Sequence, residues 1–210
     1  MSKLYLFDFD GVIVDSLTVY REFVASCLEK IDASLSFTAE DFLELFDDNF
    51  YEAIAARNIP VDVFMKAAAT IAPVDYTKMR PFPDVVPIVK ELSRENLLVV
   101  ISSNQSEPIE QVLKQENMSG FFRDVLGADH MTSKTDKINH AMKTWKNEPG
   151  ETFYIGDTAG DVREARKAGV RSVAVTWGWH SEERLRAAGP DYIVRTPRDL
   201  IALDGRTVNS

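Results

Sequence analysis

The sequence predicts an α/β protein whose core is a parallel, doubly wound sheet of five to six strands with helices on both faces. Short apolar runs, typical of buried parallel strands, alternate with longer segments in which apolar residues recur every three or four positions. Strands that alternate with helices in this way form parallel sheets. One block, residues 16–79, has helical patterns and no convincing strand. We therefore predict a Rossmann-like core of residues 1–15 and 80–210, with a small all-helical cap of residues 16–79 inserted after strand 1.

The core elements follow one another in the order that this class requires. The first predicted strand starts at Leu4. The others cover residues 97–101, 124–126, 152–155, 172–176 and, as a weak edge strand, 192–194. The first predicted core helix ends near residue 94, and the others cover residues 107–116, 133–146 and 162–168. Gly169 closes the last helix, because glycine readily adopts the left-handed conformation that ends a helix. Residues 204–210 are predicted to form a loose tail.

The cap is predicted to hold four helices, most of them with a recognisable start. They cover residues 16–32, 42–46, 50–57 and 61–71. Asp15 or Ser16 can cap the first helix. Thr38 and Asp41 form a start that resembles a capping box, and Asn49 can cap the third helix.

Composition excludes several classes of protein. The chain has 210 residues, enough for one good core with a small appended domain, and 45% of them are hydrophobic and 27% charged. Its 24 basic and 33 acidic residues give a net charge of −9, which argues against a nucleic-acid or anionic-membrane partner. The single cysteine, Cys27, allows no internal disulfide and no cysteine metal cluster.

The sequence indicates a cytoplasmic protein without a membrane partner. No apolar stretch approaches the ~20 residues that a transmembrane helix needs. The N-terminus leads straight into an acid-bearing strand rather than into the apolar region of a signal peptide. The oligomeric state is left open, with a monomer as a plausible form.

The strongest chemical signal is a pair of acids at the end of the first strand. Asp8 and Asp10 are two residues apart, so on a strand their side chains would point to the same face. Two like charges there repel each other unless a cation lies between them or one is protonated. Gly11 lets the chain turn away and leaves both acids at the carboxyl end of the strand, where open α/β sheets bind ligands.

Two further segments carry polar residues that suit a site at this edge. Ser102, Ser103 and Asn104 follow the second core strand, and taken alone they fit a loop that caps the next helix equally well. Lys134 begins a predicted helix, where the macrodipole disfavours a cation, and Lys137 follows three residues later. Either lysine, taken singly, is more often a solvated surface charge.

A second acidic pair follows the strand at residues 152–155. Asp157 lies in the turn after this strand, and Asp161 comes four residues later. Mg²⁺ prefers about six oxygen ligands, usually one or two carboxylates with water and phosphate, so such a pair suits it. Asp161 could equally cap the helix that follows.

These segments together resemble the haloacid dehalogenase-like (HAD) superfamily, over residues 4 to about 194. Residues 8–16, DFDGVIVDS, are similar to its first motif, DxDGVxxDS, and residues 156–161, GDTAGD, to the GDxxxD form of its fourth. Residues 175–178, VTWG, look like the segment that follows the fourth motif in the phosphoglycolate-phosphatase-like branch of the superfamily. Residues 16–79 resemble the helical cap that one class of the superfamily inserts after the first motif.

The resemblance implies an enzyme, a phosphoric monoester hydrolase that acts through an aspartyl-phosphate. Asp8 would be the nucleophile, and Asp10 the general acid and base. Ser102 would hydrogen-bond the transferring phosphoryl group, with Ser103 one residue away as the competing choice. Further candidate phosphate-binding residues are Gly11, Ser103 and Asn104.

The family's lysine bridges the nucleophilic aspartate and the phosphate. We assign this role to Lys134 rather than Lys137, because Ile138 four residues later matches the family's usual spacing.

The cofactor that the resemblance implies is Mg²⁺. Asp8, Asp157 and the backbone oxygen of Asp10 would supply three ligands. Asp161 would act through a water molecule or as the partner of a ligand.

Alternative functions remain open beside hydrolysis of a small phosphorylated metabolite. A sugar phosphomutase would share the first step but needs several cap cations, and Arg57 is the only Lys or Arg between residues 35 and 60. A non-catalytic phosphate-binding or regulatory HAD-like module would be favoured by a missing catalytic acid, and none is missing. The resemblance implies that dehalogenases and phosphonoacetaldehyde hydrolases lack an acid at the position of Asp10, so neither is favoured. Asp47 and Asp48 would line a site for an anionic substrate poorly unless they face solvent.

Overall fold

The computed structural model of the chain describes residues 2–34, 37–72, 74–131 and 133–203. Within these residues the strands are β1 (Leu4–Phe7), β2 (Val14–Asp15), β3 (Arg80–Pro81), β4 (Leu97–Ile101), β5 (Asp124–Leu126), β6 (Thr152–Gly156), β7 (Arg171–Val175) and β8 (Tyr192–Val194). The α-helices are α1 (Leu17–Ile31), α2 (Ala39–Glu44), α3 (Phe50–Ala56), α4 (Val61–Ala68), α5 (Val85–Leu92), α6 (Ser106–Gln115), α7 (Lys134–Trp145), α8 (Ala159–Ala168), α9 (Glu182–Ala188) and α10 (Asp199–Ala202).

Six strands form one sheet in the order β5-β4-β1-β6-β7-β8, and every pair in it is parallel. The predicted α/β class with a parallel sheet of five to six strands is therefore confirmed. The strand order reverses direction on either side of β1. In such sheets, the crevice at the carboxyl ends of the strands beside this switch point is where ligands bind.

The central strand β1 is buried on both faces, which explains its continuous apolar sequence. All four of its side chains are fully buried. Leu4 and Leu6 belong to the apolar cluster beneath α7 and α8, whereas Tyr5 and Phe7 belong to the cluster beneath α5 and α6. Because each such side chain contributes roughly 1.5–3 kcal/mol when buried, β1 is a fixed base for the residues that follow it.

Helices α1–α4 build a third apolar cluster above the carboxyl edge of the sheet. Each contributes one or more buried side chains to it, including Val24, Phe42, Ile54 and Phe64. Trp179, from the loop after β7, packs against the same cluster. The described part of residues 16–79 contains no strand, as expected. The division into a core of residues 1–15 and 80–210 and a cap of residues 16–79 stays a prediction.

The chain enters and leaves this helical segment through the antiparallel pair β2–β3. Val14 pairs with Pro81, and Asp15 pairs with Arg80. The sequence did not predict this pair, because strands of two residues are too short to show alternation. The pair brings the two ends of the helical segment together at one place beside β1.

The predicted helix caps are confirmed with one exception. Thr38 and Asp41 form a capping box at α2, and the Asn49 side chain accepts hydrogen bonds from two amides at the start of α3. Gly169 ends α8 in the left-handed conformation. Ser16 precedes α1 as expected, but its side chain makes no capping hydrogen bond, so the prediction of a side-chain cap there is wrong.

Several helices differ from the sequence-based prediction: α2 begins at Ala39 rather than at residue 42, and α4 ends at Ala68 rather than at residue 71. α8 begins three residues earlier than expected, because a capping box between Thr158 and Asp161 starts it at Ala159. The short helices α9 and α10 were not predicted, although Ser181 and Gly189 at the two ends of α9 are typical helix boundaries. The predicted tail, residues 204–210, lies outside the described residues. Among the described helices, none has the length and apolar character that crossing a bilayer demands.

The end of α8 provides a test of the backbone argument, with a matched control. Gly169 has φ 74° and open space around a built Cβ, so Gly169→Ala should cost about 1–2 kcal/mol of stability through backbone strain alone. Gly150 also has open space but no left-handed backbone, so Gly150→Ala should change stability by less than about 0.5 kcal/mol. Urea unfolding of both variants measures the difference, and equal effects would contradict it.

Candidate active site

The predicted site residues meet at the carboxyl edge of the sheet, around a cavity of about 630 Å³. The strands β1, β4 and β6 end at this cavity, and α7 and α8 begin there. Residues singled out from the sequence that line it are Asp8, Asp10, Ser102, Ser103, Asn104, Lys134, Asp157 and Asp161. The topology therefore gathers side chains that are up to 153 positions apart, from Asp8 to Asp161.

Asp8 and Asp10 reach the cavity from a tight turn. β1 ends before Asp8, so the two acids do not occupy alternate positions of one strand as expected. The amide of Val14 donates to the carbonyl of Phe9 at 3.1 Å, which folds the segment back on itself. Gly11, at φ 73°, makes this turn possible, because other residues rarely adopt that conformation.

Gly11 is also needed because the neighbouring acid lies so close to it. A Cβ atom at this position would lie 2.0 Å from Oδ2 of Asp157 and 2.8 Å from the ring of Trp179. The absence of a side chain at Gly11 thus lets the Asp157 side chain pack directly against the turn that carries Asp8 and Asp10.

Lys134 is the lysine that reaches Asp8. Its Nζ lies 2.7 Å from Oδ2 of Asp8 and 2.7 Å from Oδ1 of Asp161. Lys137 is fully buried, and its Nζ donates to the backbone carbonyl of Ser102 at 2.5 Å. Burial, with the nearby charge of Lys134, lowers the pKa of Lys137 to about 8. The geometry therefore places Lys134 among the acids and Lys137 beneath the loop after β4.

Both carboxylate oxygens of Asp161 are already hydrogen-bonded. Oδ1 accepts from Lys134 and from the hydroxyl of Tyr154, the latter at 3.1 Å. Oδ2 accepts from the amide and the hydroxyl of Thr158, at 3.1 and 2.7 Å. This bonding suits a residue that positions other groups, as well as the helix cap that the sequence left open.

Two other carboxylates each keep one buried oxygen without a partner among the described residues. Oδ2 of Asp157 accepts from the amide of Trp179 at 2.7 Å, while its Oδ1 has no partner. Oδ2 of Asp10 accepts from Nδ2 of Asn104 at 2.6 Å, while its Oδ1 has none. Buried polar atoms are nearly always paired, so these two oxygens are available to accept a hydrogen bond or to bind a cation.

Burial and mutual repulsion shift the pKa values of the first acidic pair. Burial raises the pKa of Asp8 to about 6 even though Lys134 pulls it down, and the charge of Asp161 adds to the rise. Burial and the charge of Asp8 raise the pKa of Asp10 to about 7. Both shifts arise because the charged form is disfavoured away from water and beside other anions.

The pKa values of the second acidic pair, Asp157 and Asp161, are shifted in opposite directions. Burial, together with the charges of Asp161 and Asp8, raises the pKa of Asp157 well above its ordinary value. Burial would do the same to Asp161, but Lys134 and the hydrogen bonds it accepts hold its pKa below the ordinary value. Burial disfavours the charged form of Lys134, yet the carboxylates of Asp161 and Asp8 outweigh this and raise its pKa. The cluster thus holds more negative charge than one lysine balances.

This excess of buried carboxylate oxygen fits a hard divalent cation. Ligand atoms of Asp8, Asp157 and Asp161 lie within 4.8 Å of one another. The unpartnered Oδ1 of Asp157 is one of the buried oxygens at this place. Mg²⁺ binds such oxygens and would lower the repulsion that raises their pKa values.

The loop after β4 brings all three of its predicted residues to the cavity. Ser102 is buried, and its Oγ accepts from the amide of Asn104 at 3.1 Å. Ser103 is exposed and lines the same cavity. The choice between the two serines for phosphate binding stays a prediction in favour of Ser102.

The acidic segment between α2 and α3 is bound by arginines of the core. Nε and Nη2 of Arg184 hold the two oxygens of Asp47, each at 2.7 Å, and Arg163 lies 2.8 Å from Asp48. The backbone of the segment also accepts a hydrogen bond from the amide of Gly160 at 2.9 Å. The acids therefore fasten helices α2 and α3 to the start of α8 and to α9.

Sequence reasoning missed two residues of the loop after β7. The ring of Trp179 lies 4.8 Å from that of Phe46, inside the helical segment. Nδ1 of His180 accepts from the amide of Ala159 at 3.0 Å, so Nε2 carries the proton and donates to the carbonyl of Leu43 at 2.9 Å. The only sequence signal was the pair of tryptophans directly after a predicted strand.

Comparison with known proteins gives matches along most of the chain. The family model described as haloacid dehalogenase-like hydrolase matches residues 5–175. A phosphoglycolate phosphatase of Aquifex aeolicus is 27% identical over 219 residues, covering 96% of either chain. Pyrophosphatase PpaX of Oceanobacillus iheyensis is 27% identical over 221 residues, covering 97% of either chain. A phosphoglycolate phosphatase of Synechococcus elongatus is 34% identical over 121 residues, only 57% of either chain.

A solved structure shows the same fold. A haloacid dehalogenase-like family hydrolase from Streptococcus pneumoniae superposes with a TM-score of 0.78 at 22% identity, covering 97% of this chain and 98% of the other. The cavity and the comparisons together define a hydrolase. More particularly, the chain belongs to the haloacid dehalogenase-like hydrolase family, since that family's model matches most of its length. The predictions of this family and of an enzyme are confirmed.

The contact between Arg184 and Asp47 should contribute measurably to stability. In a double-mutant cycle of Arg184→Ala and Asp47→Ala, we expect a coupling energy of about 1–2 kcal/mol, because the bond is bidentate and partly buried. The control pair Lys66 and Asp62, 79% and 67% exposed, should couple much more weakly, because water screens the two charges. Urea unfolding measures both cycles. Equal coupling in the two pairs would show that Arg184 does not fasten the helical segment.

Proposed function

We propose that the chain is a Mg²⁺-dependent phosphatase that hydrolyses a small phosphate monoester through an aspartyl-phosphate intermediate. One observation carries the proposal: Asp8 contacts Lys134 in a cavity that also holds Asp10 and the acidic pair Asp157 and Asp161. This arrangement supplies a nucleophile, an acid, a cation and oxygen ligands within one site.

Asp8 acts as the nucleophile. Its Oδ1 accepts from the amide of Phe9 at 2.7 Å and its Oδ2 from Lys134, so the carboxylate is held in one orientation. One carboxylate oxygen forms a bond to phosphorus in line with the departing alcohol oxygen. Lys134 balances negative charge on Asp8 and on the equatorial oxygens of the phosphoryl group.

Asp10 transfers the protons. Asn104 fixes its Oδ2, which leaves the unpartnered Oδ1 to hold a proton in the cavity. Asp10 gives this proton to the leaving alcohol oxygen as its bond to phosphorus breaks. The same carboxylate then takes a proton from the water that attacks the aspartyl-phosphate, which releases phosphate and restores Asp8.

Four acids and the loop after β4 complete the site. Asp8, Asp157 and the backbone oxygen of Asp10 would hold Mg²⁺, with Asp161 supporting through Lys134 or a water molecule. When bound, Mg²⁺ neutralises charge on the phosphoryl oxygens. Phosphate-binding residues in this proposal are Ser102, Ser103 and Asn104, which line the cavity, and Gly11, which does not line it but packs against Asp157.

The helical segment favours a small substrate and simple hydrolysis. Helices α1, α3 and α4 cover the carboxyl edge and restrict the entry of water and of large partners. A mutase would need cations there for a second phosphate, but Arg57 is bound to Glu44 at 3.0 Å and does not line the cavity. The names of the relatives make phosphoglycolate and pyrophosphate the first compounds to compare. We place the enzyme in the cytoplasm, in line with the sequence-based expectation.

Substitution of the two acids should separate the half-reactions. Asp8→Asn should lower kcat by about 1,000-fold or more, because an amide cannot attack phosphorus. With p-nitrophenyl phosphate, whose leaving group needs little protonation, Asp10→Asn should still form the aspartyl-phosphate but hydrolyse it slowly. Phosphate release and mass spectrometry of the quenched enzyme measure the two steps.

The control for charge loss is Asp84→Asn, an exposed acid before α5 and away from the cavity, which should keep wild-type turnover. Appreciable turnover by folded Asp8→Asn would contradict the nucleophile. Equal loss of both steps in Asp10→Asn would mean that Asp10 only shapes the site.

Mg²⁺ should stabilise the protein through Asp157. In chelator, Asp157→Asn should be more stable than the wild type at neutral pH, because the buried carboxyl group must either carry a charge beside other anions or take up a proton on folding, and the amide does neither. At 100 times its Kd, Mg²⁺ should add about 2.7 kcal/mol to the wild type, or about 5–10 °C in Tm. Thermal unfolding with and without Mg²⁺ measures this. If Mg²⁺ raised the Tm of Asp157→Asn as much as that of the wild type, this carboxylate would be excluded as a ligand.

A further inference from the structure

The cavity extends well beyond the space that a phosphoryl group needs. Its volume of about 630 Å³ lies in the range of sites that bind drug-sized ligands. Away from the acids, much of its wall consists of side chains from α1, α3 and α4. They include Phe23, Val24, Phe50, Tyr51, Phe64 and Met65.

A continuous row of aromatic rings forms much of this wall. Ring centroids are 4.8 Å apart from Trp179 to Phe46, 5.4 Å from Phe46 to Phe50, and 5.4 Å from Phe50 to Phe64. The row begins at Trp179, whose amide donates a hydrogen bond to Asp157, and ends at Phe64 on the far wall of the cavity. Rings that support one another in this way offer a rigid apolar surface to another ring or to an extended aliphatic chain.

Positive charge is confined to the phosphate end. Among the described residues that line the cavity, Lys134 is the one Lys or Arg, and it is already paired with Asp8 and Asp161. Two cations of neighbouring helices pair with acids instead: Arg163 with Asp48 and Lys66 with Asp62. Glu164 and Asp48 add negative character to the lining. A second anionic group on the substrate would find no described cation to pair with there.

We propose that the substrate is a phosphate monoester of an uncharged alcohol that carries an aromatic or extended apolar group. This inference rests on the proposed phosphatase function and narrows its substrate class. The phosphoryl group lies at Asp8 and Lys134, and the alcohol part packs along the row from Trp179 to Phe64. The relatives named for phosphoglycolate and pyrophosphate would then differ from this chain in the part of the substrate that leaves.

The apolar surface that the alcohol part buries determines how strongly the enzyme should prefer an ester with an apolar group over one with a short tail. Removing roughly 100 Å² of apolar surface from water favours binding by about 10- to 100-fold. A carboxylate in the same place would lose its hydration without gaining a partner, so it should gain nothing over a short tail.

Three primary alkyl phosphates with similar leaving alcohols test the proposal. We expect kcat/KM for 3-phenylpropyl phosphate to exceed that for propyl phosphate by about 10- to 100-fold, measured by phosphate release with Mg²⁺. The value for 3-carboxypropyl phosphate should not exceed that for propyl phosphate. Equal values for all three, or a preference for the carboxylate or for phosphoglycolate, would overturn the inference but leave the phosphatase function. No release from these esters or from p-nitrophenyl phosphate would contradict the phosphatase function, and the inference with it.

A pair of variants on α4 tests the position of the alcohol part. Met65 lines the cavity and is 48% exposed, so Met65→Arg adds a cation there without filling the core. It should lower the ratio of kcat/KM for the phenylpropyl over the carboxypropyl ester by about tenfold. Val63 on the same helix is 37% exposed and lies outside the cavity lining, so Val63→Arg should leave the ratio unchanged. An equal change in both variants would show that overall charge decides the preference, and would overturn the inference.

Discussion

The site depends on the burial of several carboxylates around a single ammonium group. Asp8, Asp10, Asp157 and Asp161 are each 9% exposed or less, and Lys134 directly contacts two of them. Gathering like charges away from water is unfavourable, so the surrounding structure must hold them in place. β1 supplies this support because it is buried on both faces. Hydroxyl and amide groups around Asp161 and Asp157 stabilise their charges in part. The remaining imbalance is what makes the site receptive to a divalent cation.

The sheet and the location of the acids could be predicted because both follow from local rules. A buried parallel strand is apolar throughout, and its carboxyl end is the usual ligand-binding edge, so Asp8 and Asp157 could be assigned to one site without coordinates. Capping motifs such as Thr38 with Asp41 are equally local, because the atoms involved lie within one helical turn. Lys134 could be preferred over Lys137 only through the resemblance to a family, since both lie on the same helix.

The contacts that join the helical segment to the core could not be predicted, because they link residues far apart in the chain. Arg184 meets Asp47 across 137 positions, and Trp179 meets Phe46 from another loop. Sequence spacing does not indicate such pairs, so the acidic segment looked like a poor lining for an anion. The structure shows that arginines of the core pair with these acids, and that Asp48 nevertheless lines the cavity. Two-residue strands and a side chain such as Ser16, which lies at a helix start without capping it, are likewise decided by tertiary packing.

The antiparallel pair β2–β3 has a consequence for how such enzymes diverge. It places the two ends of the helical segment side by side, with Val14 opposite Pro81, so the sheet is connected to that segment at one narrow junction. Insertions between neighbouring points are tolerated well, because they leave the register of the surrounding strands unchanged. Helices α1–α4 can therefore be lengthened, reshaped or replaced during evolution without moving β1 or β4. In the proposed function, recognition of the alcohol rests mainly on these helices and chemistry at phosphorus on the edge of the sheet, so the first could change while the second is kept.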